Sequence, residues 1–375
     1  MNLKYDVLKL GIGCLRAIYV PMKLQRKQNM ITIISRQSRE ESLDIGMLSE
    51  EIRKRCPEME CRVMVKFIEQ GTGSKIRYAL HMLSQMNAMA KSKAVVLDGY
   101  CIAASVLNHR KGTEIVQIWH SMAAIKKFGR QTIDKEAGHS SRLAETLCMH
   151  RNYNHVICPS SKTGDFFCQG FGCKRDRLVQ LCLPRVDYIK KQCSRRKNQN
   201  ETDKEVILYA PTFRKNDGLK VRELFQTLNY DRFILVVKPH PLYEESFENI
   251  VNEMGLQGKV LVDSDRSTFD WLGTADRVIS DYSAVAVESL VTGKPLYFYV
   301  YDIEDYEKNT GLNVNPLKEV PSITAKTGEE LNALLEGEYD WDTLNRFRDD
   351  YLTADTENCT EKLAEYIIGV ANGNA

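Results

Sequence analysis

The run Leu235-Val236-Val237-Lys238-Pro239-His240-Pro241 constrains the fold more than any other segment of the chain. Apolar, mostly β-branched residues stop at a lysine, and two prolines bracket a histidine. Proline fixes φ and cannot donate to a sheet, and the residue before it is driven to extended geometry. The segment therefore predicts a buried parallel strand whose C-terminal end presents a cation and an imidazole. In open α/β sheets, ligands bind at that end. The same pattern occurs far upstream, in Ile115-Val116-Gln117-Ile118-Trp119-His120.

Strand-like and helix-like stretches alternate through both halves. Strands are expected at 31–35, 60–68, 93–97, 115–119 and 154–158, and again at 206–209, 233–237, 260–262, 277–279 and 296–299. Helical spacing falls between them, at 42–55, 221–228, 246–254, 268–272 and 284–291 among others. The loop Gly71-Thr72-Gly73-Ser74-Lys75 lacks Walker spacing and reads as the tight turn into a helix that reaches about Ala90. Residues 190–204 are polar, without apolar periodicity, and read as a linker. The expectation is an α/β protein of two doubly wound Rossmann-type domains facing each other across a cleft. The domains are an N-terminal one at 29–189 and a C-terminal one at 205–375, preceded by a leader at 1–28.

Composition excludes several classes. The net charge is +2 over 375 residues, and no stripe interleaves aromatic with basic residues, so no nucleic-acid partner is expected. The 11 cysteines lack CxxC spacing, which argues for reduced thiols in a cytoplasmic protein and against a zinc site. No apolar run is long enough to span a bilayer. The leader, however, sets Lys4, Lys9, Arg16 and Lys23 among Leu8, Leu10, Ile12, Leu15 and Ile18. Such a segment suits an anionic membrane surface, and equally a helix packed on the body of the protein.

The second half gathers anion ligands at three strand ends. Thr212 and Arg214 follow the first, Lys238 and His240 the second, and Ser280, Asp281 and Ser283 the third. The last group brackets the start of a helix, where free N–H groups and the dipole favour phosphate. Capping explains one such residue, not all of them. Together they point to a diphosphate, as in a nucleotide-activated substrate.

These pieces resemble the CDP-glycerol glycerophosphotransferases, which build teichoic acids and related poly(polyol phosphate) polymers. The resemblance is carried, over about residues 95 to 312, by Trp119-His120 with Lys126-Lys127-Phe128-Gly129, and by Leu183-Pro184-Arg185-Val186-Asp187. It continues through Tyr209-Ala210-Pro211-Thr212-Phe213-Arg214, Lys238-Pro239-His240-Pro241 and Ser280-Asp281-Tyr282-Ser283. It ends with Lys294-Pro295-Leu296-Tyr297-Phe298-Tyr299 leading to Asp302, Tyr306 and Gly311.

The resemblance implies a GT-B-like fold, with 29–189 as the acceptor-side domain and 205–375 as the nucleotide-donor domain. It also implies transfer of a polyol phosphate from CDP-glycerol or CDP-ribitol to a lipid-linked polyol-phosphate or saccharide acceptor, with release of CMP. The work would be done at the inner face of the cell membrane. It makes His120 the general base, and His240 the group that contacts the pyrophosphate and steadies the departing CMP. It makes Arg214, Ser280 and Ser283 phosphate ligands, with Thr212, Lys238 and Asp281 beside the donor. Trp119, Ser121, Lys126, Lys127 and Arg185 fall on the acceptor side or in the cleft. Two positions depart from the family pattern. Ser121 stands where glycine is usual, and Val287-Glu288 where Phe-Asp is usual, leaving Glu288 to accept from ribose hydroxyls. No paired acidic motif for Mg²⁺ is present, so no metal or cofactor is expected. The competing readings are a GT-B glycosyltransferase or nucleotide-sugar epimerase, and a catalytically silent paralogue at the membrane surface.

Overall fold

Short apolar runs build two separate parallel sheets. The computed structural model describes residues 3–67, 72–136, 138–196, 203–212, 214, 218–239 and 244–374. In the first sheet lie β1 (Met30–Ser35), β2 (Glu60–Val65), β3 (Ala94–Leu97), β4 (Glu114–Gln117), β5 (His155–Cys158) and β6 (Leu178–Gln180), in the order β2-β1-β3-β4-β5-β6. In the second lie β7 (Glu205–Tyr209), β8 (Phe233–Val237), β9 (Val260–Val262), β10 (Arg277–Ser280), β11 (Leu296–Tyr299) and β12 (Thr324–Ala325), in the order β12-β11-β10-β7-β8-β9. All the pairings between these strands are parallel. Parallel strands need crossovers, and helices such as Leu43–Arg55, Ser161–Phe171 and Gly218–Thr227 supply them. Covered on both faces, β1, β3 and β11 are buried along their whole length, so their sequences are almost unbroken apolar runs.

Each sheet reverses its winding once. The strand order changes direction between β1 and β3 in the first sheet and between β7 and β10 in the second. The carboxyl ends of strands flanking such a switch point open onto a crevice, which makes them the ligand-binding positions of the fold.

The chain separates into two compact units. One comprises residues 1–122, 128–184 and 354–375, and the other residues 123–127 and 185–353. The expected linker at 190–204 overlaps a helix, Arg185–Arg196, that belongs to the second unit. Val186 and Ile189 of this helix are buried, and the Tyr188 hydroxyl donates to Asp270 at 2.6 Å. Gly273 meets the same helix so closely that a Cβ there would lie 2.2 Å from that of Gln192. The helix's polar sequence is its outer face. At the other end, the helix Cys359–Asn372 returns to the first unit. It buries Leu363 and Ile367, and Tyr366 shares a 2.7 Å hydrogen bond with His155 of β5.

The leader is a helix, Leu3–Met22, that packs on the first unit through Ile12 and Tyr19. Arg16 Nε donates to the Val106 carbonyl at 2.9 Å, and the Tyr19 hydroxyl lies 3.1 Å from His109 Nδ1. Its other face leaves Val7, Leu10, Ile18 and Val20 exposed.

Candidate active site

The second unit carries a cavity of about 410 Å³ at the carboxyl ends of β7 and β8. Its walls include Thr212, Lys238, Ser264, Thr268, Ser283 and Lys126. The centre of the supporting structure is Asp281, which follows β10 and is 1% exposed. Its carboxylate accepts from Thr212 N–H at 2.8 Å, Thr212 Oγ1 at 2.7 Å, Ser283 N–H at 3.1 Å and Arg214 Nη1 at 2.6 Å. Thr212 and Asp281 thus join the two strand ends that flank the switch point.

Arg214 is held from its other side by Asp302, through Nε at 2.6 Å and Nη2 at 3.0 Å. Burial works against its charge, but Asp281 and Asp302 outweigh burial and hold its pKa above the ordinary value. Tyr282, Tyr301 and Tyr306 surround the guanidinium, with ring centroids 5.5, 4.8 and 5.8 Å away, and Tyr282 stacks on Tyr306 at 4.2 Å. Arg214, expected as a phosphate ligand, directs its fork at two carboxylates and fixes the loops that shape the cavity. Ser280, expected in the same role, is completely buried, and its hydroxyl turns to the Ala210 carbonyl at 3.4 Å.

Lys126 reaches this cavity from far away in the sequence. Residues 123–127 are stitched to the second unit by Lys127 N–H on the Gly311 carbonyl at 3.0 Å and by Asn313 Nδ2 on the Ala124 carbonyl at 2.9 Å. Gly311 has φ of +85°, a left-handed turn open to glycine. The Lys126 ammonium is pushed below its usual pKa by burial, with Asp281 pulling the other way and Arg214 adding to the drop. Lys126, Lys127 and Arg185, expected at the acceptor side or the cleft, all belong to the second unit, with Lys126 in the cavity wall. Arg185 forms a buried ion pair with Glu288, which is 3% exposed, and lies 5.0 Å from the Phe269 ring. His240 lies outside the described residues, as does Phe213.

In the first unit, Trp119, His120 and Ser121 follow β4. His120 is exposed, and its Nδ1 lies 3.0 Å from the Asp98 carbonyl. A carbonyl only accepts, so Nδ1 carries the proton and Nε2 the lone pair. The Trp119 and His120 ring centroids lie 4.2 Å apart, tilted by 36°. Beneath it the Asp98 side chain is buried and accepts from Ser35 Oγ at 2.6 Å, across the switch point of this sheet. Burial pushes the Asp98 carboxyl up to about 6, with Ser35 opposing.

A doubly wound, two-unit α/β protein with a cation-lined cavity at a switch point is a GT-B-like transferase in form. The chain belongs to the CDP-glycerol:poly(glycerophosphate) glycerophosphotransferase family, whose family model matches residues 17–369. It is similar to the teichoic acid glycerol-phosphate primase of Bacillus subtilis (strain 168), at 27% identity over 296 residues, covering 77% of this chain and 76% of that one. The teichoic acid ribitol-phosphate primase of Bacillus spizizenii is 26% identical over 332 residues, 84% of each chain. The fold matches that of the wall teichoic acid polymerase TagF with a TM-score of 0.72 at 17% identity, covering 100% of this chain and 99% of that one. The protein is thus an enzyme, a transferase of the teichoic acid glycerophosphotransferase type.

Two outcomes follow from the geometry. Asp281→Ala leaves the buried Arg214 half-paired and should destabilise the protein by about 3–5 kcal/mol, read from denaturant unfolding. Asp98→Asn tests the raised carboxyl. The folded acid holds its proton above the ordinary 3.8, so wild-type stability falls as pH climbs through that value and levels off above about 6. The asparagine variant should gain thermal stability relative to wild type across that window, and a constant difference would contradict the assignment.

Proposed function

We propose that the enzyme transfers glycerol phosphate from CDP-glycerol to a hydroxyl of a lipid-linked acceptor, releasing CMP, in the assembly of a teichoic-acid-type polymer. The observation that carries this reading is the cavity of Thr212, Ser283, Lys126 and Lys238 in a chain of this family. Two ammonium groups and two hydroxyls at a switch point suit a pyrophosphate. A bound diphosphate would also restore the Lys126 charge that burial disfavours. CDP-ribitol is the second reading, favoured by the similarity to a ribitol-phosphate primase.

Phosphoryl transfer depends on positioning and charge stabilisation more than on covalent help. The acceptor oxygen attacks the β-phosphorus, the bond from that phosphorus to the CMP oxygen breaks, and the acceptor proton passes to Nε2 of His120. Imidazole suits this because its pKa lies near working pH. Lys126 and Lys238 neutralise charge on the leaving phosphate, with His240 assigned to the same task by the family resemblance.

The acceptor's lipid anchor implies a membrane surface, and the leader helix supports peripheral attachment at the cytoplasmic face. Among the described residues no helix is long and apolar enough to cross a membrane. The exposed Val7, Leu10, Ile18 and Val20 continue to Leu24, which is 83% exposed. Lys4 and Lys9 lie exposed along the same helix, and Arg110, Lys111 and Arg177 line a cavity of about 480 Å³ in the same unit. Apolar burial and cation attraction to anionic lipid act together in such a surface.

Purified protein should release CMP from CDP-glycerol or CDP-ribitol when a lipid-linked acceptor is supplied, and release nothing from UDP-sugars. His120→Ala should slow that release by about a hundredfold or more, whereas His139→Ala, at an exposed position, should match wild type. Equal loss in both variants would sink the assignment of the base. For the membrane, Leu10→Asp combined with Ile18→Asp changes only exposed positions. It should free the protein from phosphatidylglycerol vesicles in a flotation assay and spare turnover on a short soluble acceptor. Unchanged flotation would remove this helix from the membrane contact.

A further inference from the structure

Trp119 has φ of +57°, a left-handed backbone that a bulky aromatic residue adopts only where its surroundings impose it. The surroundings are specific. Its indole lies 5.2 Å from the Phe128 ring and 5.1 Å from the Phe171 ring. The backbone N–H of Trp119 donates to Oε1 of Gln117 at 2.9 Å. Gln117 is the last residue of β4 and is completely buried. Its Nε2 donates to the Gly99 carbonyl at 3.1 Å. One amide therefore ties together the loop after β3 and the Trp119–His120 turn. The carbonyl adjoining Gly99, that of Asp98, receives Nδ1–H of His120.

We propose that Gln117 is a positioning residue for the transfer. By holding Gly99 and Trp119 at a fixed separation, it sets the Asp98 carbonyl against Nδ1 of His120 and so keeps the tautomer whose Nε2 receives the acceptor proton. The proposal rests on the reading of His120 as the base. The side chain must accept from Trp119 and donate to Gly99 at once, which an amide does at every pH and a carboxyl does only when protonated.

That difference gives the test. In Gln117→Glu, the protonated acid can still accept from Trp119 N–H and donate to the Gly99 carbonyl. The ionised form turns a negative charge on that carbonyl and loosens the turn. Burial favours the neutral form and raises the acid's pKa. Turnover of Q117E should therefore match wild type at the acid end and fall as pH rises, while the wild type gains turnover as His120 loses its proton. The other groups facing this position are Asp98, Tyr100 and Cys101 after β3, Arg36 after β1, His150 and Tyr153 before β5, and His120. All are present in both proteins, so the comparison isolates the new carboxyl.

Steady-state kinetics of wild type, Q117E, Gln117→Met and His120→Ala would be followed from about pH 5.5 to about pH 9, with CDP-glycerol affinity measured by calorimetry. Q117M should lose about tenfold to a hundredfold in kcat, with KM for the acceptor and donor affinity close to wild type. Q117E should join it at the alkaline end. A Q117E profile parallel to the wild type, or Q117M with wild-type kcat, overturns the proposal. If Q117M fails to fold, the Q117E profile decides alone, with its acid-end turnover as proof of folding. An active His120→Ala removes the base and the proposal together. An inactive His120→Ala beside fully active Gln117 variants removes the positioning role only.

Discussion

Arg214 sits between Asp281 and Asp302, and the shape of the candidate donor cavity depends on that arrangement. A guanidinium removed from water is costly unless its charge and its donors are both matched. Here two carboxylates match them, and three tyrosine rings surround the plane. The consequence is geometric. Asp281 comes from the end of β10, Asp302 from the turn after β11, and Arg214 and Thr212 from the loop after β7. Tying these loops together sets Thr212 and Ser283 in the wall of the cavity. A lysine in place of Arg214 could not hold both acids, because it lacks the planar fork.

The fold was largely legible because parallel strands buried on both faces leave a plain signature. The runs at 233–237, 260–262 and 296–299 coincide with β8, β9 and β11. The strands that escaped notice, β6 and β12, are edge strands of three and two residues, too short to show a pattern. The candidate site was legible in its residue types but not in their division of labour. Thr212, Lys238 and Ser283 do line one cavity. Arg214 and Ser280 read as phosphate ligands because chemistry at a strand end says nothing about which way a side chain turns. Arg185 and Glu288 are 103 positions apart, so their pairing had no local signal. Gln117 sat inside the motif that pointed to His120, hidden as an ordinary strand residue.

The two units solve the same local problem in the same way. At each switch point an aspartate just beyond one strand accepts a hydroxyl from the neighbouring strand end, Ser35 to Asp98 in one and Thr212 to Asp281 in the other. The difference lies in what else reaches the acid. Asp281 has Arg214 and two backbone N–H groups. Asp98 has no ion pair among the described residues and a carboxyl pushed upward by burial. One position holds a guanidinium beside the cavity. The other holds a carbonyl beside an imidazole.

The return of the helix Cys359–Asn372 to the first unit has a consequence for synthesis on the ribosome. Domains generally fold as units during translation, first-made first. The residues of the second unit, 123–127 and 185–353, are all made before the helix that carries Leu363 and Ile367. The first unit can bury those two side chains only after that interval of synthesis.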